Sequence, residues 1–404
     1  MDATTLSRKL MMGYQGWFAC SGDGSPLNSW MHWFRNNSPD AINLTIDMWP
    51  DMRELRADEG FVTRMNHSDN RAATLYSAYN SSTVARHFKW MQDNNLDGVL
   101  LQRFTSELRD PALRSFRDQL TKNVQTGAET HSRVFCVMYD ISGSNEITLV
   151  EDLKNDWTYL VDTLKITESS QYLKHRGKPL LAIWGLGFTG RPGTSAQAKE
   201  IITYFKSGAP PKYQATLLGG VPSNWRTLDG DSKTEAAWAD VYKSFDVLSP
   251  WSVGRYADDD AGADNFRKSR LEADLKQLSP LKIDYMPVIF PGFSWRNLNN
   301  GPLNQIPRRG GRFWWRQLYN AISAGCTMIY CAMFDEMDEG TAMFKLVADK
   351  QDLPTQAHDR LVYLNIDGEI LRSDWYLQVA DQGGKMLRGE IKLTRSLPIK
   401  PGVI

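Results

Sequence analysis

The chain has little with which to hold a metal, a membrane or a polyanion. Four cysteines in 404 residues, Cys20, Cys136, Cys326 and Cys331, form no CxxC pair, which argues against a zinc ribbon or a disulfide-stapled miniature fold. Reduced packing thiols are expected instead. Six histidines are scattered without HExxH, so neither a histidine-based metal site nor any other cofactor is expected. Lys plus Arg and Asp plus Glu each number 47, for a formal net charge of zero. No dense basic run is available to follow a phosphate backbone, and nucleic acid is not an expected partner. No window approaches the roughly 18 apolar residues of a membrane helix, and Met1 to Leu10 lack an apolar stretch of signal-peptide length. The expectation is a soluble monomer with no membrane partner, either cytoplasmic or a secreted form whose leader has been removed.

Aromatic residues, in contrast, are plentiful: 14 Trp, 15 Tyr and 16 Phe. Several tryptophans fall at the ends of strand-like runs, and flat apolar faces with a polar edge suit sugar rings. Strand-like and helix-like segments alternate along most of the sequence, the pattern of a parallel sheet with helical crossovers. The strands are expected at 10–18, 98–104, 134–140, 179–185, 215–221, 247–253, 285–290 and 327–334. Helices are expected at 83–95, 110–123, 148–164, 196–205, 234–243, 265–278 and 313–324. Eight such units predict an α/β fold of (β/α)₈ barrel type spanning 1–345. A ninth strand-like run, 42–50, is assigned to a long insertion at 19–82, after the first strand, which is expected to fold over the barrel mouth. Residues 346–404 read as a short C-terminal extension packed on the barrel, with a strand at 361–366, a turn at Asp367-Gly368 and a short helix capped by Ser373.

The richest segment closes the eighth strand. A β-branched, aromatic and apolar run, Thr327 to Phe334, meets Asp335-Glu336-Met337-Asp338-Glu339-Gly340-Thr341. Acidic residues at the carboxyl end of a buried parallel strand stand where α/β barrels keep their chemistry. Cleaving an acetal needs one group to protonate the departing oxygen and another to supply electrons or remove a proton, and Glu336 and Glu339 can divide that labour. An acidic loop that only neutralises a neighbouring arginine is the plain alternative. Hard oxygen ligation by Asp335, Glu336, Asp338 and Glu339 is another, but the spacing fits an EF-hand poorly. Other strand ends add polar and aromatic groups to the same face: Tyr14, Gln15 and Trp17 after the first strand, Gln102 and Arg103 after the second, Tyr139 and Asp140 after the third. Trp184 ends the fourth, Trp251 and Arg255 follow the sixth, and Phe293 and Trp295 follow the seventh. His32 and Trp33 in the insertion complete the expected carbohydrate-binding set, with Asp335.

The segment Asp335 to Thr341 resembles the Asn-Glu-Trp-His-Glu-Gly-Thr signature of glycoside hydrolase family 99, the endo-α-mannosidases and endo-α-mannanases, which are (β/α)₈ barrels related to family 71. Gly13-Tyr14-Gln15-Gly16-Trp17, Lys178-Pro179-Leu180-Leu181 and Pro291-Gly292-Phe293 resemble further stretches of that family in the same order. The resemblance implies a retaining glycoside hydrolase without a cofactor. Glu336 matches the base that deprotonates the sugar 2-hydroxyl to form a 1,2-anhydro sugar, and Glu339 matches the acid/base partner. The family's Asn, Trp and His stand here as Asp335, Met337 and Asp338, which leaves the sugar open; xylosidase or arabinosidase activity is a further expectation. The competing readings are a barrel that binds carbohydrate without cleaving it and a metal-dependent hydrolase.

Overall fold

The computed structural model describes residues 1–256 and 259–402. Eight strand positions form one curled parallel sheet: β1 (Leu10–Tyr14), β2 (Gly98–Phe104), β3 (Val134–Asp140), β4 (Lys178–Trp184), β5 (Thr216–Val221), β6 (Val247–Pro250), β7 in two pieces (Asp284–Tyr285 and Val288–Ile289) and β8 (Ile329–Cys331). The pieces of β7 close the ring. The first pairs with β6, Asp284 opposite Val247, and the second pairs with β8, Val288 opposite Tyr330. β8 then pairs with β1, Leu10 opposite Ile329. The sheet is therefore a (β/α)₈ barrel, as the alternation predicts. The break in β7 falls at Met286-Pro287, where proline lacks the N–H a continuous ladder needs.

Several expected bounds shift for local reasons. β1 stops at Tyr14 rather than Phe18 because Gly16, at φ +56°, turns the chain. The second helix, Pro111–His131, runs about two turns past its expected end at 123. Its start is well specified: Asp110 accepts the N–H groups of Ala112 and Leu113, and proline occupies the first turn. The expected helix at 265–278 is two helices, Asp260–Phe266 and Glu272–Leu278, joined by a π-turn.

The 42–50 run stays outside the barrel as expected, but it is not a regular strand. It makes isolated bridges, Met48 to Val362 and Pro50 to Leu346. The regular element of the insertion is a hairpin not foreseen from sequence, Phe61–Asn66 paired antiparallel with Ala72–Leu75. The C-terminal segment needs two corrections. Residues 361–366 are not a strand; Val362 makes one bridge, and a 3₁₀ turn follows at Leu364–Asp367. The expected short helix is a 14-residue helix, Trp375–Arg388, begun at Asp374 rather than Ser373. Its Gly383 lies against Trp314 and Leu318 of helix Arg312–Ser323, and its Asp381 accepts from Asn95 at the end of helix Ser81–Asp93. It thus sits between the helices that follow β7 and β1. It is the eighth outer helix, so the barrel does not end at 345. Val403 and Ile404, the last two residues of that expected extension, lie outside the described residues.

All four cysteines are buried and free, and burial pushes the Cys326 and Cys331 thiols up to about 12. The upper barrel interior is filled by Tyr330 and Met333. A Cβ at Gly13 would lie 2.2 Å from the Met333 sulfur and 2.3 Å from the Tyr330 hydroxyl, so glycine is what lets β1 approach this floor.

Candidate active site

Above that floor, at the carboxyl ends of the strands, opens a cleft of about 710 Å³. Alternation along each strand decides what enters it. Gln15 and Trp17 line it from the β1 end, Gln102 and Phe104 from β2, and Met138 and Asp140 from β3. Trp184, Trp251, Arg255, Phe293 and Trp295 line it from the remaining strand ends, with both Glu336 and Glu339.

Glu336 is held firmly. Gln15 donates its Nε2 to one carboxyl oxygen at 2.7 Å, and the Thr341 hydroxyl donates to the other at 2.8 Å. The Thr341 backbone N–H also donates to the Glu336 carbonyl at 3.1 Å, so the segment is a tight loop folded on its own acid. Gly340 makes that loop possible: at φ +65°, a Cβ would meet Ser294 at 2.9 Å. The Ser294 N–H in turn donates to the Glu339 carbonyl at 2.9 Å. No described residue donates a hydrogen bond to the Glu339 carboxyl. Burial pushes Glu339 up to about 7, with Asp338 adding to the rise and Arg191 opposing it. Burial also drives Glu336 well above the usual carboxylate range, with the charges of Glu339 and Asp338 adding to it, while Thr341 and Gln15 pull the other way. Two carboxyls so placed titrate as a unit.

The other acids of the segment face elsewhere. Asp335 accepts the backbone N–H groups of Gln15 and Gly16, both at 2.7 Å, and is buried. It ties the end of β8 to the end of β1. Asp338 faces His32, 3.3 Å away, and the His32 ring stacks on Trp17 at 3.9 Å. Among the described residues no group of three or more His, Cys, Asp and Glu is arranged to hold a metal ion.

Six expected contacts need correcting. Arg103 and Tyr139 occupy the outward positions of their strands: Arg103 pairs with Asp156 at 2.6 Å and Asp118 at 2.8 Å, and Tyr139 donates to Asp156 at 2.7 Å. Tyr14 likewise points out, its hydroxyl 2.8 Å from His87 Nδ1. Trp33 is fully buried in the insertion, its indole donating to the Tyr76 carbonyl. Asp335 is committed to backbone. His32 is half-buried against Trp17 rather than a lining residue.

The residues that sequence reasoning missed include Phe104, Met138, Arg191, Asp231, Gln305 and Tyr330. Strand alternation from Gln102 and Asp140 would have found Phe104 and Met138; Arg191 sits on a loop with no such signal. Asp140 accepts the Ser142 N–H at 2.7 Å, and burial raises its pKa despite Arg191. Trp184 packs edge-on to Trp251, ring centres 5.5 Å apart.

No protein-family model matches the sequence, and no curated protein matches it. Solved structures do match. The GH99 endo-alpha-mannosidase from Bacteroides thetaiotaomicron superposes with a TM-score of 0.68 at 13% identity, over 95% of this chain and 99% of that one. Its complex with bis-tris propane gives 0.67 at 14% identity, over 96% and 99%. A glycoside hydrolase-like protein gives 0.53 at 12% identity, over 87% and 98%. At such identity the likeness speaks for the fold. The chain has a GH99-like (β/α)₈ fold over nearly its whole length.

Proposed function

We propose that the protein is a glycoside hydrolase acting on an oligosaccharide or polysaccharide, with Glu336 and Glu339 as its acid–base pair. The observation that carries this reading is that both carboxyls open into one aromatic-lined cleft and hold a raised proton affinity there. Near neutrality the pair keeps one proton between them, so one member is an acid while the other is a base. A sugar 2-hydroxyl donating to Glu336 would add a third donor to Gln15 and Thr341, favouring the Glu336 anion and leaving the proton on Glu339.

In that arrangement Glu336 takes the 2-hydroxyl proton as O2 attacks C1, and the glycosidic bond breaks as Glu339 protonates the departing oxygen. In the second step Glu339 takes a proton from water while the water oxygen attacks C1. The C1–O2 bond opens, O2 recovers its proton from Glu336, and the anomeric configuration is retained. No protein nucleophile is needed; the enzyme's part is positioning and proton placement. Because Glu339 must be protonated at the start, turnover should fall as pH rises through about 7.

The test is Glu336→Gln and Glu339→Gln, with affinity followed by calorimetry. Each substitution is expected to cut turnover by roughly 10²–10⁴-fold while leaving glycan affinity within about threefold. A parent that binds glycans but hydrolyses none would make the cleft a carbohydrate-binding module instead.

A further inference from the structure

The loop after β4, residues 185–193, carries four glycines and one cation, Arg191. It is nevertheless held in place. Leu186 is fully buried, the Gly185 N–H donates to the Gly220 carbonyl at 3.1 Å, and the Thr189 N–H donates to the Asp231 carbonyl at 2.9 Å. The Arg191 guanidinium then lies over Trp184, 5.6 Å from the ring centre, and lines the cleft. It makes no hydrogen bond or ion pair with any described residue. Arg103 and Arg117, by contrast, are both locked onto carboxylates.

Arg255 lines the same cleft. Its partner Asp231, 3.1 Å away, already accepts the backbone N–H groups of Ser223 and Asn224 at 3.0 Å each, so that carboxylate does not depend on the guanidinium. Asp231 and Arg255 also line an adjoining recess of about 410 Å³, to which Arg270 contributes a further guanidinium without a hydrogen bond or ion pair among the described residues. Arg255 thus stands where the two pockets share lining residues, with Arg191 on one side and Arg270 on the other.

A guanidinium with no hydrogen-bonded carboxylate of its own has its donors free for a ligand, and binds an anion more strongly than a neutral hydroxyl. The planar Arg191 guanidinium over Trp184 presents paired donors to the cleft, matched to an oxyanion on the rim of a sugar bound there. We propose that Arg191, together with Arg255, binds a negatively charged substituent on a sugar held in the cleft beside Trp184, so that the natural substrate is an acidic glycan bearing a uronate carboxylate or a sulfate ester. The electrostatics agree: Arg191 opposes proton retention by Glu339, and an anion seated on Arg191 would cancel that opposition, keeping Glu339 more fully protonated when the matching substrate is present.

This inference rests on the hydrolase reading of the same cleft, and the test separates the two. Calorimetry on the Glu336→Gln protein would use glucuronoxylan oligosaccharides against their carboxyl-reduced neutral forms, and sulfated galactan oligosaccharides against their desulfated forms. One acidic series should bind about tenfold or more tightly than its neutral partner, the fold-change of one hydrogen bond to a charged group, and the preference should shrink with salt. The series that shows it tells carboxylate from sulfate. Adding Arg191→Gln should collapse the acidic-to-neutral ratio, and Arg191→Lys should restore part of it. If neither acidic series is preferred, or if the ratio survives Arg191→Gln, the proposal is overturned. Acidic preference without turnover in the parent would fell the hydrolase reading alone; hydrolysis of neutral glycans with no acidic preference would fell this inference alone.

Discussion

Glu336 and Arg191 border the same cleft on walls of different construction. Around Glu336 the supports are buried and directional: Gln15 and Thr341 hold its carboxyl, and Asp335 fixes Gln15 and Gly16 by their backbones, with distances of 2.7–2.8 Å. Around Arg191 the contacts are ring faces, one partly exposed ion pair and a glycine-rich loop. On the proposed reading, the difference follows from what each wall is asked to do. Proton transfer fails if an acid strays by an ångström, so its supports are short, directional and shielded from water. Recognition tolerates adjustment, and flat rings with long cationic side chains supply area and charge without one fixed geometry.

The contrast can be broken in a graded way. Asp335→Ala should do the most damage, because it strands the N–H groups of Gln15 and Gly16 inside the protein. A loss of about 1–3 kcal/mol per stranded group is expected, read as a lower midpoint in urea, together with loss of turnover. Unchanged stability would show that the β1–β8 tie is dispensable. Gln15→Ala removes one of the two donors to Glu336 and should lower kcat roughly 10- to 100-fold, the range for one hydrogen bond to a charged group, with KM nearly unmoved. A rise confined to KM would place Gln15 with the recognition wall instead. The smallest effect belongs to Trp251→Ala, which should raise KM roughly 2- to 10-fold with kcat and melting temperature little changed. A large melting drop with unaltered KM would make that ring core.

Much of this was legible before any coordinates, and the limits have physical causes. The buried strands announce themselves as apolar β-branched runs, and the jump from Phe334 to Asp335-Glu336 marks where the eighth one meets the cleft. Two-residue periodicity constrains neighbouring residues on a strand. Gln102 and Arg103 are adjacent, and only one of them can face inward; the same holds for Tyr139 and Asp140. Which of each pair turns in is settled by outward partners, Asp118 and Asp156, that lie on helices distant in sequence. From sequence the eighth helix reads as a tail because a long stretch with no α-helix or strand, from Ala332 to Asp374, separates it from its strand. Arg191 was invisible because a loop of glycines has no period, and nothing local reveals that a guanidinium will be left without a carboxylate. The split of β7, conversely, was written in Pro287.

The claim on which the rest depends is that Glu336 and Glu339 share a proton in the folded protein. Selective ¹³C labelling of glutamate δ carbons, followed by NMR across pH, tests it most directly. One glutamate resonance is predicted to titrate at about pH 7 and to vanish in Glu339→Gln, in which Glu336 titrates at lower pH because the charge opposing its ionisation is gone. A parent protein in which every glutamate titrates near the ordinary value of about 4.3 would contradict the account.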